Sequence, residues 1–176
     1  MTQPTVDIRT RPPLAQEIPA VAALLRRVFT WAYGGAIPAA PLTSFLASSF
    51  ANPAIAADFV RPEVTYQVAE CRGTIVGVAR LELGPPPGFS ELQDAIELAK
   101  CYVLPEFHGQ GVAAALLNDA IGTAQAAGRQ QIWLCVWEEN PRAVAFYQKH
   151  GFAVIGTTDV WVGDVRFVDL LMLRSH

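Results

Sequence analysis

A glycine-containing turn between a predicted strand and a predicted helix is the first feature of the sequence that indicates chemistry. Residues 102–113 read as a strand end, a short loop that contains Gly109 and Gly111, and a helix start. The first turn of a helix has backbone N–H groups without partners and carries the positive end of the helix dipole. Glycines let a phosphate come close to such a backbone, so the segment predicts an anion site that needs no lysine.

This segment alone does not identify the anion. Residues 109–114 match the spacing of a dinucleotide-binding fingerprint, which requires an acid about 20 residues further on. The nearest acids, Glu138 and Glu139, come too late, and a Pro-Glu-Phe-His spacer separates the strand from the glycines. No Gly-Lys-Ser or Gly-Lys-Thr follows, which excludes a P-loop. A helix start eased by glycine, without any ligand, is the other alternative.

A second segment, residues 140–152, predicts a capped helix that carries a tyrosine. Asn140 is a favourable N-cap, and Pro141 suits the first helical position. Tyr147 is seven residues after Asn140, about two helical turns, so the two side chains lie near one face of the helix. Phe146 and Phe152 are predicted to be apolar anchors in the core.

Together the two segments resemble the signature motifs of the GNAT superfamily of N-acetyltransferases. The first motif is usually Gln/Arg-x-x-Gly-x-Gly/Ala and here reads HGQGVA from His108. The second, Asn-x-x-Ala-x-x-Phe-Tyr-x-x-x-Gly-Phe, is matched at every fixed position from Asn140. The resemblance implies an α/β (α+β) domain, the GNAT acyl-CoA N-acyltransferase fold, with a mixed, mostly antiparallel sheet of about seven strands and helices on both faces. It also implies transfer of an acetyl group from acetyl-CoA to a primary amine by direct attack in a ternary complex.

The same resemblance implies which residues bind the cofactor. The backbone N–H groups of residues 108–113 would hold the pyrophosphate, and the backbone of Val103 would meet the pantetheine arm. The strand at residues 132–137 would splay from its neighbour to admit that arm. His108 departs from the usual Gln or Arg, and because the loop binds through its backbone we expect a small effect on affinity. The predicted cofactor residues are Tyr102, Val103, His108, Gly109, Gln110, Gly111, Val112, Ala113, Asn140, Ala143 and Tyr147.

Tyr147 is the predicted catalytic acid. Acetyl transfer from a thioester needs a neutral amine, a stabilised carbonyl oxygen and a proton for the leaving thiolate. A phenol with a pKa near 10 is protonated at neutral pH and can supply that proton. Packing of an aromatic side chain is the alternative reading of Tyr147. Cys101 is disfavoured as a nucleophile, because no histidine neighbours it in the sequence.

Glu97 is the predicted catalytic base. It lies in an otherwise apolar predicted strand, where alternation puts it on one face with Ala99, Cys101 and Val103 and puts Lys100 on the other face. Partial burial there would raise the pKa of Glu97 towards neutrality. The resemblance supports this role, since many members carry a glutamate at a similar place and use it through water. A solvent-facing charge at the start of a strand is the alternative.

The acceptor site is predicted from aromatic residues. Trp31 and Tyr33 in the N-terminal third, and Trp137 before the second motif, are the candidates because aromatic faces can hold a cation. Core or lid packing is the favoured alternative for Trp31 and Tyr33, and Trp137 could equally belong to a solvated turn. Residues 28–33 and 133–140, among others, resemble a bacterial subgroup similar to spermidine/spermine acetyltransferases. That implies a polyamine or another small amine as the acceptor. An acetyltransferase of protein N-termini or lysines, and a non-catalytic acetyl-CoA sensor, stay open as alternatives.

The periodicity of the sequence predicts one mixed sheet, without a linker or an internal repeat. Residues 1–176 are therefore expected to form a single domain. The predicted helices are residues 16–30, 41–50, 54–60, 109–127 and 141–150. The predicted strands are residues 6–10, 64–70, 74–83, 95–104, 132–137, 153–162 and 165–173.

Composition narrows the classes of protein further. Hydrophobic residues make up 52% and charged residues 16%, which disfavours disorder. No apolar run reaches the roughly 18 to 20 residues of a membrane span, and the N-terminus has no signal-like apolar region. A net charge of -3 argues against a nucleic-acid partner. Cys71, Cys101 and Cys135 are predicted to be free thiols, hence a cytoplasmic protein; no metal is expected, and a homodimer is left open.

Overall fold

A mixed sheet organises the chain. The computed structural model describes residues 7–175. The strands in this range are β1 Ile8–Arg11, β2 Val64–Cys71, β3 Thr74–Leu83, β4 Ile96–Val103, β5 Gln131–Trp137, β6 Ala153–Val162 and β7 Val165–Ser175. The α-helices in this range are α1 Ile18–Tyr33, α2 Ala39–Ser49, α3 Asn52–Asp58, α4 Val112–Ala126 and α5 Pro141–Lys149.

The strand order is β1-β2-β3-β4-β5-β7-β6. Every neighbouring pair is antiparallel except β4 and β5, which are parallel. This confirms the predicted mixed, mostly antiparallel sheet of seven strands. The parallel pair is connected through α4, as a parallel crossover requires.

Strands β4 and β5 separate soon after they begin. In the part of the chain that the structure describes, they pair at Ile96–Ile132 and Glu97–Trp133 and nowhere further along. β5 instead follows β7 along its whole length, from Gln131 to Trp137. The sheet therefore contains a gap between the C-terminal halves of β4 and β5, which is the splay that the family resemblance implied.

Helices cover both faces of the sheet, and two residues of β3 identify which helix covers which face. A Cβ on Gly77 would lie 2.9 Å from a Leu116 methyl carbon, so α4 packs directly against the backbone on that face. Arg80, which points to the other face, donates to Asp58 of α3 at 2.7 Å. We call these the α4 face and the α1 face, because α1 packs with α3.

The observed element bounds correct several predicted ones. The first helix is preceded by a short 3-10 turn and extends to Tyr33 rather than to residue 30. The second and third helices each begin two residues earlier than predicted, and β7 extends two residues further. The first strand begins at Ile8; Val6, where it was predicted to begin, lies outside the described residues. Such shifts fit the fraying of element ends.

The largest correction concerns the start of α4. The helix was predicted from residue 109, yet it begins at Val112. Gly109 and Gly111 have φ angles of 76° and 86°, in the left-handed region that a right-handed helix cannot contain. The two glycines therefore build a turn in front of the helix, with Gly111 as its N-cap.

A bulge in β4 overturns the predicted faces of this strand. Glu97 is opposite Glu82, Lys100 is opposite Arg80 and Cys101 is opposite Ala79, so Ala99 is the extra residue. Because directly opposite residues share a face, Glu97 and Lys100 both lie on the α1 face, whereas Cys101 lies on the α4 face. The prediction that Glu97 shares a face with Cys101 and Val103, with Lys100 opposite, was wrong.

Candidate active site

A cavity of about 470 Å³ occupies the gap between β4 and β5. Its wall includes residues of β4 from Glu97 to Val103, so it reaches both faces of the sheet. The rest of the wall comes from α1, α2, the His108 turn, α4, β5, α5, β6 and β7. It consists of Val28, Phe29, Trp31, Ala32, Tyr33, Phe45, His108, Ala113, Cys135, Val136, Asn140, Arg142, Ala143, Phe146, Tyr147, Val160, Val162, Phe167 and Asp169.

The glycine turn forms the α4 end of this cavity. His108 and Ala113 line the cavity, and Gly109, Gln110 and Gly111 connect them. Val112 is in the core at 1% exposure, so only its backbone is available to a ligand. The free N–H groups of the first turn of α4 and the open left-handed turn before it fit the pyrophosphate of coenzyme A.

Two hydrogen bonds, one to a backbone carbonyl and one to a side chain, fix the imidazole of His108. Its Nε2 lies 3.0 Å from the carbonyl oxygen of Val103, and its Nδ1 lies 3.0 Å from Nη1 of Arg142. Since a guanidinium can only donate, Nδ1 accepts and Nε2 carries the proton that it donates to Val103. His108 thus links the end of β4 to the start of α5, and Arg142 adds a positive charge beside the phosphate turn.

The second motif builds the wall opposite this turn. Oδ1 of Asn140 accepts a hydrogen bond from the backbone N–H of Ala143 at 3.1 Å, which is the predicted N-cap. Both residues line the cavity, as predicted for cofactor contacts. Because the cap uses Oδ1, the amide nitrogen of Asn140 is the group left to meet a ligand.

Tyr147 lies in the middle of the cavity wall, beside the Cys101 thiol. Burial raises the pKa of Tyr147 well above that of a free phenol, and nearby Cys101 and Tyr102 add to the rise. The phenol is therefore protonated at neutral pH and available as a donor. Burial also raises the pKa of Cys101 to about 12, which leaves a thiol rather than an activated thiolate.

Glu97 lines the cavity on the α1 face. Burial raises the pKa of Glu97, while the nearby Lys100 ammonium opposes that rise. Lys100 itself has a lowered pKa because it is buried. Behind them Arg80 donates to Glu82 at 2.6 Å and to Asp58 at 2.7 Å. Glu82 lies directly opposite Glu97, and two unpaired negative charges in such positions would destabilise the strand pair. The ion pair with Arg80 neutralises Glu82 and removes that repulsion.

The three predicted acceptor residues have different positions. Trp31, with 58% of its surface exposed, lies on the cavity rim with its ring 5.1 Å from that of His108. Tyr33 also lines the cavity. Trp137 does not: its ring packs against Tyr33 at 5.6 Å and Phe167 at 5.4 Å. The contacts of Trp137 fit a packing residue that supports the wall, and its predicted role in acceptor binding stays a prediction.

Asp169 is the functional candidate that sequence reasoning missed. It lies in β7, lines the cavity and faces the α1 side, as does its cross-strand partner Trp137. Burial, with Glu138 nearby, raises the pKa of Asp169 to about 6. The available signal was the one that identified Glu97, a lone acid within an apolar strand: residues 165–173 read VRFVDLLML.

No residue cluster that could hold a metal ion occurs within residues 7–175. The three cysteines are free, with Cys71 buried and Cys101 and Cys135 partly buried. Within the same range, none of the helices is both long and apolar enough to cross a membrane.

Comparison with known proteins identifies the family. Residues 23–152 match the family model described as "Acetyltransferase (GNAT) family". An uncharacterized N-acetyltransferase of Mycobacterium tuberculosis is 34% identical over 161 residues, which cover 92% of this chain and 97% of that protein. The chain therefore belongs to the GNAT family of acetyltransferases. It is an acetyl-CoA-dependent N-acetyltransferase, and acetyl-CoA is its co-substrate.

Solved structures share the fold at lower identity. The PaiA N-acetyltransferase from Thermoplasma acidophilum, crystallised in complex with coenzyme A, has a TM-score of 0.81 at 20% identity over 97% of this chain and 99% of that one. The ribosomal-protein-S18-alanine N-acetyltransferase from Escherichia coli has a TM-score of 0.68 at 19% identity over 96% and 94%. At these identities the likeness shows the fold, and it leaves the acceptor to be argued from the site itself.

Proposed function

We propose that this enzyme acetylates a small primary amine by direct attack in a ternary complex, within one domain of residues 1–176. One observation carries the proposal: a single cavity runs from the glycine turn on the α4 face to Glu97 and Asp169 on the α1 face. A cofactor that enters from one face and an amine that enters from the other would meet at the end of β4.

In this proposal, different residues of the site carry out the separate steps of acetyl transfer. Acetyl-CoA, when bound, supplies the thioester. Glu97 accepts the proton of the acceptor ammonium, through water, so that the nitrogen lone pair is free to attack. A backbone N–H in residues 101–103 donates to the carbonyl oxygen as negative charge grows there. The hydroxyl of Tyr147 donates its proton to the sulfur as the C–S bond breaks, and the second proton that the attacking nitrogen loses restores the phenol.

A polyamine is the acceptor that we propose to test first. The α1 face of the cavity presents the carboxylates of Glu97 and Asp169 against the one ammonium of Lys100, so its charge favours a cationic molecule. Trp31 and Tyr33 add aromatic surface next to this charge. The resemblance to the spermidine/spermine subgroup points in the same direction.

The proposed function is tested by two measurements on the full chain. Thermal shift with acetyl-CoA, coenzyme A and NAD identifies the bound cofactor, and a thiol-release assay over an amine panel that includes spermidine identifies the acceptor. We expect stabilisation by both coenzyme A species and thiol release with at least one amine. Stabilisation without release from any small amine would point to a protein acceptor or to an acetyl-CoA sensor. No stabilisation would contradict the proposal.

The Glu97→Gln variant tests the base. We expect kcat/KM at pH 7 to fall about 100-fold, since a positioned base contributes at least that factor. In the wild type, activity should rise with pH through the pKa of Glu97, which burial holds above that of an exposed glutamate. This acid limb should be missing from the variant. Initial rates between pH 5 and 9 measure both effects.

The exposed Glu91 supplies a matched control, because Glu91→Gln removes the same charge outside the cavity. This control should keep the rate and the pH profile of the wild type. If Glu97→Gln also stays within threefold of the wild type, Glu97 is a structural charge and not the base.

A further inference from the structure

Asp169 is a partly buried carboxylate that has no side-chain partner among residues 7–175. It lies in β7 between apolar residues, opposite Trp137 of β5 and Thr158 of β6. In the part of the chain that the structure describes, no lysine or arginine lies within 4.0 Å of it and no side chain donates a hydrogen bond to it. A partly buried carboxylate between apolar residues gains from a hydrogen-bonding or cationic partner. Because Asp169 lines the cavity, that partner has access from the cavity.

The strand registers place Asp169 at the height of the proposed reaction. From the Glu97–Trp133 pair, four residues along β5 lead to Trp137, whose partner is Asp169. Five residues along β4, one of them absorbed by the bulge, lead to Tyr102. Tyr102 and Asp169 therefore stand at the same height on the α1 face, on opposite sides of the gap.

The separation across this gap suits a short molecule. β4 and β7 flank β5, so two strand spacings of about 4.8 Å put their backbones roughly 10 Å apart or somewhat more where β4 diverges. Asp169 lines the cavity from the β7 side of that interval. A nitrogen at the end of β4 and a second group at Asp169 are thus connected by a chain of a few carbons.

The charges around Asp169 differ from those around Glu97. Lys100 faces Glu97 and partly neutralises it. The charged group that acts on Asp169 is Glu138, a second acid. The other titratable groups that face it are Tyr33 of α1, Tyr102 of β4 and Cys135 of β5, all with pKa values raised by burial, so all are neutral near pH 7.

Neutral aromatic rings complete the surroundings of Asp169. Tyr33 and Phe167 line the cavity beside it, with ring centroids 5.7 Å apart. An acid next to aromatic faces attracts a cation. The attraction for a positive charge is therefore concentrated at Asp169 rather than shared equally between the two acids of the cavity.

We propose that Asp169 binds a second ammonium group of the acceptor, one that is not acetylated, and so makes the enzyme select diamines over monoamines. This inference rests on the proposed function of the same site. The first nitrogen lies at the end of β4, and its proton passes through water to Glu97 near the start of that strand. The second stays charged and is held by Asp169 beside Tyr33 and Phe167. Asp169 is thus a specificity residue, and it takes no part in the proton transfers.

The test compares two acceptors of nearly equal shape, 1,4-diaminobutane and 4-aminobutan-1-ol. The wild type is expected to prefer the diamine by about 10- to 100-fold in kcat/KM, the range for a hydrogen bond to a charged group. In Asp169→Asn the preference should fall to within threefold. The kcat/KM for the amino alcohol should change far less than that for the diamine, and the remaining activity shows that the variant is folded.

Asp159→Asn is the matched control, because Asp159 is exposed in the neighbouring strand β6, outside the cavity, and pairs with Arg166. It should keep the wild-type preference. A measurement on the wild type alone gives a second test. Because the charge of Asp169 is present above its pKa of about 6 and lost below it, the preference for the diamine should decline as the pH falls from 7 to 5.

Each outcome has a distinct meaning. An Asp169→Asn variant that keeps the preference for the diamine overturns the inference. So does a wild type that uses both acceptors equally well, or a preference that stays constant between pH 5 and 7. If neither of these compounds and no amine of the wider panel gives thiol release, the proposed function and the inference are both overturned.

Discussion

We expect the Gly111→Val variant to lose at least 100-fold in affinity for acetyl-CoA. Gly111 is the N-cap of α4 with a φ of 86°, a conformation that costs an L-residue about 1–2 kcal/mol and a β-branched one more. No atom lies within 4 Å of the position of a Cβ there, so the added side chain would project into the open space proposed for the pyrophosphate. Titration calorimetry with acetyl-CoA measures the loss.

Gly128, at the other end of the same helix, separates backbone strain from cofactor binding. It has a φ of 71° and, like Gly111, no atom within 4 Å of a Cβ position. Gly128→Val should therefore lower the melting temperature by a similar amount and leave the affinity for acetyl-CoA unchanged. If both variants bind acetyl-CoA equally well, the turn before α4 is not the pyrophosphate site.

The parts of the site that depend on local sequence were predictable. A glycine-containing helix start and an Asn-Pro helix start need only neighbouring residues to form, so both helix starts, and Asn140 as the N-cap of the second, were recognised from the sequence. The prediction that placed Gly109 inside α4 failed for a local reason too. A helix tolerates an occasional glycine, and the sequence alone does not show that this one has a positive φ.

The parts that depend on partners distant in the sequence were not predictable. The bulge at Ala99 exists because β4 fits against β3, and it alone moves Lys100 to the face of Glu97. Strict alternation along one strand gives the opposite answer. Trp137 is a comparable case, since its role is decided by two rings, on α1 and β7, that surround it only in the folded chain.

Asp169 shows a different kind of limit. The sequence shows an acidic residue between apolar neighbours. It does not show that β7, the last strand of the chain, pairs with β5 in the sheet. Once β7 inserts between β5 and β6, Asp169 joins residues from β4 and α1 at one cavity. A rule that selects every lone acid in an apolar strand would have found both Glu97 and Asp169. Only the folded structure shows that the two acids line the same cavity.

The Tyr147→Phe variant should lose about 100-fold in kcat while its affinity for acetyl-CoA stays within a few-fold of the wild type. The phenol ring packs against Phe146 and Phe152, and a phenylalanine keeps that packing. Only the hydroxyl is lost, and with it the donor beside the position proposed for the sulfur. General acid catalysis of this kind contributes 10²- to 10⁴-fold. Single-turnover thiol release measures the chemical step directly.

Cys101 provides the control for Tyr147, because the two side chains are in contact on the α4 face. Cys101→Ala removes the partner of the hydroxyl and keeps the hydroxyl itself, so kcat should fall by less than fivefold. A covalent mechanism through Cys101 predicts the reverse, with no activity in Cys101→Ala and little change in Tyr147→Phe. The raised pKa of the Cys101 thiol argues against that mechanism, since the thiolate is the nucleophilic form. The two variants together therefore decide whether the acetyl group moves in one step or in two.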